Sequence, residues 1–185
     1  MNNKIQVVGI AGSLRAGSYN KRLLKIAQVN LPEGMFLEIR DLAQIPLYNA
    51  DIEKERVPSA VMALKEIVAK SDGMLIAAPE YNRSIPGVLK NTMDWLSTPA
   101  KNSPLPRKPL AIMGAGGRLG TGLSQTHLRQ VAIANNMYVM NRPEVMIRYA
   151  ARQFNDQGEL VDEKSIEQIR KLLNSFMQWI LQFKE

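Results

Sequence analysis

Residues 79–95 read PEYNRSIPGVLKNTMDW. An apolar run over 73–78 stops at Pro79. An acid, an aromatic and an amide follow as Glu80, Tyr81 and Asn82, and Pro86 then opens a helix. In an open parallel α/β sheet, ligands bind beyond the carboxyl ends of the strands. A rigid polar loop at that place suits recognition of a flat heterocycle. The same pattern also serves an ordinary proline-bounded connection between strand and helix.

A second loop tips the balance. After the first apolar run the chain reads Gly12-Ser13-Leu14-Arg15-Ala16-Gly17-Ser18-Tyr19-Asn20. The unpaired N–H groups and positive dipole end of a helix N-terminus attract a phosphate. Ser13, Ser18 and Asn20 add neutral hydrogen bonds and Arg15 adds a charge. Ser18 or Asn20 would also serve simply as the helix N-cap. The spacing Gly12 to Gly17 matches a P-loop, but Ser18-Tyr19 stands where Lys-Ser/Thr is required, so a nucleotide triphosphatase is disfavoured. The G-x-G-x-x-G dinucleotide fingerprint is missing as well: residues 114–120 approach it and fail at Leu119. A loop of hydroxyls and amides without that lysine better suits one terminal phosphate.

The segments GSLRAGSYNKRLL at 12–24 and PEYNRSIPGVLKNTMDW at 79–95 resemble the NADPH-dependent FMN reductase family, which is flavodoxin-like and includes quinone, chromate and azo-dye reductases. The likeness extends to IPLYNADIE at 45–53 and HLRQ at 127–130. It implies that Ser13, Arg15, Ser18 and Asn20 hold the FMN phosphate. It implies further that Pro79, Glu80, Tyr81, Asn82 and Ile85 line the isoalloxazine. Tyr81 and Ile85 offer apolar surface to a ring, and Glu80 either holds the loop or touches substrate. In a third loop, 114–122, the glycines Gly116 and Gly117 let backbone N–H groups approach the pyrimidine end, where dipoles stabilise developing charge. Relatives often carry Ser-Pro-Gly where this chain has Ala115-Gly116-Gly117, so a side-chain hydroxyl is lost there. His127 reads as structural or as a subunit contact, because hydride transfer to flavin needs no histidine base. Arg83 either attracts NADPH phosphates or is simply solvated. Asn91 and Trp95 lie on the helix that contributes to a dimer interface in the family.

These loops need a frame. Apolar runs at 5–10, 35–39, 74–78, 110–113 and 137–140 predict five strands. Helical periodicity at 21–29, 59–69, 87–96, 123–135 and 166–183 predicts the helices between and after them. The expected architecture is a single domain over 1–185. It is a flavodoxin-like doubly wound parallel sheet, order 2-1-3-4-5, with helices on both faces. The connections 41–58 and 141–162 are long and irregular, and such loops are often functional or lie at subunit contacts.

Composition closes off other classes. The chain has 185 residues, no cysteine and one histidine, which excludes disulfides, thiolate metal sites, cysteine nucleophiles and multi-histidine metal centres. Its formal net charge is +7, but the basic residues are scattered rather than run together, so nucleic acid is not an expected partner. The N-terminal run reads as a strand rather than a signal peptide, and no stretch reaches the ~20 apolar residues of a membrane span. The expectation is therefore a cytoplasmic homodimer or homotetramer. It would pass hydride from NADPH (or NADH) through FMN to a small acceptor: a quinone, azo, nitro, oxyanion or flavin compound. The alternative is a flavodoxin-like electron carrier or redox-sensing protein without NAD(P)H turnover.

Overall fold

The computed structural model describes residues 4–184. In chain order the elements are β1 (Ile5–Ala11), α1 (Tyr19–Val29), β2 (Met35–Arg40), α2 (Ala50–Glu55), α3 (Ser59–Lys70), β3 (Gly73–Ala77), α4 (Gly87–Ser97), β4 (Pro109–Ala115), α5 (Gly122–Ala134), β5 (Tyr138–Val139), β6 (Val145–Ile147), α6 (Ala150–Gln153) and α7 (Glu163–Leu181). All strands are parallel, in the order β2-β1-β3-β4-β5, with β6 also beside β4.

The strands read as continuous apolar runs because both faces of the sheet are covered. Alternate residues feed two apolar layers. Val7, Leu75 and Met113 pack with Leu23 and Leu24 of α1 and with Leu172, Phe176 and Ile180 of α7. Val8, Ile76 and Ile112 pack with Leu64 and Val68 of α3, Leu89 and Met93 of α4, and Leu128 of α5. The order reverses between β1 and β3, whose register pairs Gly9 with Leu75 and Ala11 with Ala77. Their carboxyl ends therefore open a crevice between connections that leave in opposite directions.

The fifth strand position differs from the sequence expectation. The predicted strand at 137–140 shrinks to β5, which pairs with the start of β4 at Pro109 and Leu110. A further strand, β6, pairs with the end of β4 from Met113 to Ala115. Pro143 lies between them and has no N–H to give a ladder. The interruption lets β6 run straight into residues 149–152, which reach the carboxyl-end crevice. The long connections also contain structure of their own. Helix α2 lies within 41–58, with Asn49 as its N-cap.

Two side chains read from sequence as packing or interface residues hold loops in place. Trp95 is buried and donates through Nε1 to the Pro46 carbonyl at 2.8 Å. The Asn91 amide donates to the same carbonyl and accepts from the Tyr48 N–H.

Candidate functional site

Four segments converge beyond the carboxyl end of the sheet around a cleft of about 410 Å³. That volume lies within the usual range of roughly 300–1,000 Å³ for small-molecule sites.

The first segment follows β1. Gly12 N–H donates to the Ala77 carbonyl at 2.9 Å, which ties the loop to the end of β3. A turn closes from Ser18 N–H to the Arg15 carbonyl. Ser18 is the N-cap of α1, with Oγ accepting from Lys21 N–H at 3.4 Å. Ser13 is almost wholly buried, and its hydroxyl lies 3.3 Å from the Tyr81 hydroxyl. Asn20 lines the cleft with its amide already committed: Nδ2 donates to the Ala115 carbonyl at 2.9 Å and Oδ1 accepts from Ala115 N–H at 3.0 Å. That pair of bonds clips the first turn of α1 to the end of β4.

The second segment follows β3. Tyr81 and Ser84 exchange backbone bonds of 3.1 and 3.0 Å across a tight turn whose centre is Asn82 and Arg83. Both central residues are left-handed, with φ of 50° and 61°. That is the type I′ geometry. Asn tolerates it, while a left-handed arginine costs roughly 1–2 kcal/mol, so the turn is held by its surroundings. Three contacts supply that support. Glu80 Oε2 accepts from the N–H groups of Leu123 and Ser124, Ser124 Oγ donates to the Pro79 carbonyl, and Ser84 Oγ meets His127 Nδ1 at 2.9 Å.

The third segment follows β4. A Cβ on Gly114 would lie 2.1 Å from Thr121 Oγ1 and 2.5 Å from the Ala78 carbonyl oxygen; one on Gly116 would lie 2.1 Å from the Gly120 carbonyl oxygen. Backbone lies where those side chains would go, so only glycine fits. Gly120 is left-handed at φ 64°.

The fourth segment is 149–152. Tyr149 is left-handed at φ 49° and half-exposed. Its N–H donates to the Gly117 carbonyl and that of Ala150 to the Gly116 carbonyl, both at 2.9 Å. The Arg152 guanidinium stacks 5.4 Å from the centre of the Tyr149 ring. Tyr19 packs against Phe154 just behind, with ring centres 5.0 Å apart.

The cleft thus brings together Ser13, Arg15, Ser18, Asn20, Pro79, Glu80, Tyr81, Gly116 and Gly117. Two residues named from sequence lie elsewhere. Asn82 sits at the turn tip and lines the shallower grooves on either side. Ile85 turns inward and packs against the apolar layer of α3, α4 and α5, because the type I′ turn returns the chain to the sheet. Tyr149 and Arg152 were not singled out from sequence; the only hint was that they lie in a long irregular connection. Among the described residues Glu80 is the sole carboxylate lining the cleft, against Arg15 and Arg152. The cleft therefore favours an anionic ligand. Among the described residues there is no cluster of three or more His, Asp or Glu able to hold a metal.

Known proteins are similar to this chain in sequence and fold. Residues 5–152 match the family described as NADPH-dependent FMN reductase. An NAD(P)H-dependent FMN reductase of Pseudomonas aeruginosa is 44% identical over 181 residues, covering 97% of each chain. A quinone reductase of Escherichia coli K12 is 37% identical over the full length of both. Among solved structures, FerB, a flavoenzyme NAD(P)H:(acceptor) oxidoreductase from Paracoccus denitrificans, superposes with a TM-score of 0.88. It is 31% identical and covers 96% of this chain and 98% of its own. The chain belongs to the NADPH-dependent FMN reductase family.

Proposed function

We propose that this protein is an FMN-dependent NAD(P)H oxidoreductase that reduces a small acceptor, with quinones as the leading class. The observation that carries the reading is the cleft itself. A helix start with two buried serines and an arginine, suited to an anion, lies at one end, and at the other lies a glycine loop in which Gly116 has no room for a Cβ and Gly117 leaves open space.

These residues fit FMN. Ser13, Ser18 and Arg15 stand at the N-terminus of α1, where first-turn N–H groups and the helix dipole suit a phosphate. The Asn20 amide acts indirectly, by fixing that helix start against Ala115. The Gly116 N–H, expected from sequence to approach the ring, is instead given to the Ile147 carbonyl at 2.9 Å, so the Gly117 N–H is the donor of this pair that would meet the polar edge of a ring. Tyr81 and Tyr149 supply aromatic surface on either side. FMN held there would supply two-electron redox chemistry between a nicotinamide donor and the acceptor. The protein's residues orient the ring, hold its phosphate and leave one side of the cleft open for donor and acceptor in turn. The excess of arginine over carboxylate at the mouth attracts phosphorylated donors.

A cytoplasmic homo-oligomer is part of the same proposal. The absence of cysteine supports the location, and no helix among the described residues is long and apolar enough to cross a membrane.

The test is anaerobic spectroscopy of the FMN-loaded protein. Bleaching by NADPH, followed by reoxidation with benzoquinone at the same turnover rate, is the expected result. Bound flavin that NADPH leaves oxidised would establish an electron carrier or sensor instead. A protein that rejects FMN would overturn the reading.

A further inference from the structure

Helix α5 has no cap of its own. Thr121 occupies its N-cap position and makes no side-chain cap bond. Its hydroxyl instead takes a bond from Gln125 Nε2 and lies against Gly114. The capping is done from another loop. Glu80 Oε2 accepts from Leu123 N–H at 3.0 Å and from Ser124 N–H at 3.2 Å. Those are the second and third helical positions, the donors that an N-cap side chain ordinarily serves.

An aspartate at 121 is the ordinary way to cap this helix. Supplying the carboxylate from position 80 couples two walls of the cleft. The loop after β3 and the helix after β4 share one pair of charge-assisted bonds. Ser124 Oγ to the Pro79 carbonyl (2.8 Å) and Ser84 to His127 brace the same joint on each side.

The charge matters as well as the bonds. Glu80 shares a groove with Arg83 and Arg118, and it faces the positive end of a 13-residue helix. Its carboxylate offsets all three positive sources.

We propose that Glu80 is a positioning residue. As the N-cap of α5 supplied across the cleft, it locks the two ring-flanking loops together, and its charge holds down the reduction potential of the flavin between them. This rests on the reading of the cleft as a flavin site. A reduced flavin carries more negative charge than an oxidised one, so a carboxylate beside it disfavours reduction.

The test compares wild type, Glu80→Ala and Glu80→Gln. Glutamine keeps an acceptor oxygen at the same reach and removes the charge. Amide exchange at Leu123 and Ser124 in the flavin-free protein reads the cap. Exchange at least tenfold faster in Glu80→Ala, with most protection restored in Glu80→Gln, is expected. FMN titration and dye-equilibrated potentiometry read the rest. Glu80→Ala should weaken FMN at least tenfold. Glu80→Gln should bind within about threefold of wild type while its potential rises. A tenfold gain in relative affinity for reduced flavin corresponds to about 30 mV in a two-electron couple. A cap that was only structural would leave the potential of Glu80→Gln unmoved, and that result overturns the electrostatic role. Unchanged exchange in Glu80→Ala overturns the cap, whether or not flavin binds. Failure of the wild-type protein to bind FMN refutes the flavin reading, and with it the claim on the potential, while the exchange data still decide the cap.

Discussion

The two ends of the sheet use glycine against opposite surroundings. At the amino end, a Cβ on Gly73 would meet Ile180 Cδ1 and Phe176 Cζ at 2.9 Å, the far ends of two side chains of α7. At the carboxyl end, a Cβ on Gly114 would lie 2.5 Å from the Ala78 carbonyl oxygen and 2.1 Å from the Thr121 hydroxyl. Side-chain tips can give way, whereas a hydrogen-bonded backbone cannot. The amino end is closed by adaptable packing. The carboxyl end is built from peptide groups in contact with one another, which is how a site keeps its shape without filling itself.

That contrast breaks most sharply with one substitution made twice. Gly114→Ala should cost about 3 kcal/mol or more, at or beyond the top of the usual overpacking range of roughly 1–3 kcal/mol, because the site cannot relax. It should also abolish FMN binding, as followed by flavin fluorescence. Gly73→Ala should cost no more than about 1–2 kcal/mol and leave FMN binding intact. Equal losses from the two variants would refute the contrast.

Asn20→Ala probes the carboxyl end through a side chain. It strands the N–H and C=O of buried Ala115, at about 1–3 kcal/mol for each group left unsatisfied. A fall in melting temperature of about 4–24 °C is expected for the two groups together at ~2–4 °C per kcal/mol, together with weaker FMN retention. Stability lost without any change in flavin affinity would separate the clip from the site.

Lys108→Met is the amino-end counterpart. The Lys108 ammonium reaches the Ser71 and Ala69 carbonyls, capping the C-terminal end of α3. Burial lowers its pKa. The variant should lose about 1–2 kcal/mol in chemical denaturation and keep full flavin affinity. A flavin defect in it would show that the two ends are coupled.

The smallest effect belongs to Asp41, whose carboxyl pKa is lowered below 3.8 chiefly by its hydrogen bond from Lys21. A depressed carboxylate stabilises the fold above its unfolded pKa, and that contribution disappears as pH falls through the folded value. Both side chains are partly solvated, so Asp41→Asn should cost less than about 1 kcal/mol at neutral pH. Thermal melts should show the gap closing as pH falls below the usual carboxylate range, about pH 4. A gap independent of pH would exclude the ion pair as its cause.

Sequence reveals most where a residue type answers to its own backbone. The loop at 12–20 and the motif at 79–95 are legible because glycine, proline and capping residues mark turns wherever they occur. The sheet order follows from the alternation of apolar runs and helices. What stays hidden depends on distant partners. The Asn20 amide reads as a phosphate donor until Ala115, 95 positions away, is found to occupy it. Glu80 reads either as holding its loop or as touching ring or substrate, and what it holds stays hidden because its partners Leu123 and Ser124 arrive from another helix. Tyr149 carries no signal beyond its place in the long irregular connection 141–162. Its left-handed backbone is imposed by Gly117, a tertiary partner, and a lone tyrosine gives no sign of that. The broken fifth strand escapes for a related reason: the apolar run at 137–140 looks complete, and the strand that matters to the cleft begins after Pro143.

The bonds from Tyr149 and Ala150 to the glycine loop run entirely between peptide groups. Those bonds are consequently independent of which side chains stand at 149 and 152. Divergence can proceed there cheaply. Descendants of one ancestral scaffold can exchange Tyr149 and Arg152 for other pairs, and so change which molecules they admit, while the hinge of peptide bonds beneath stays the same.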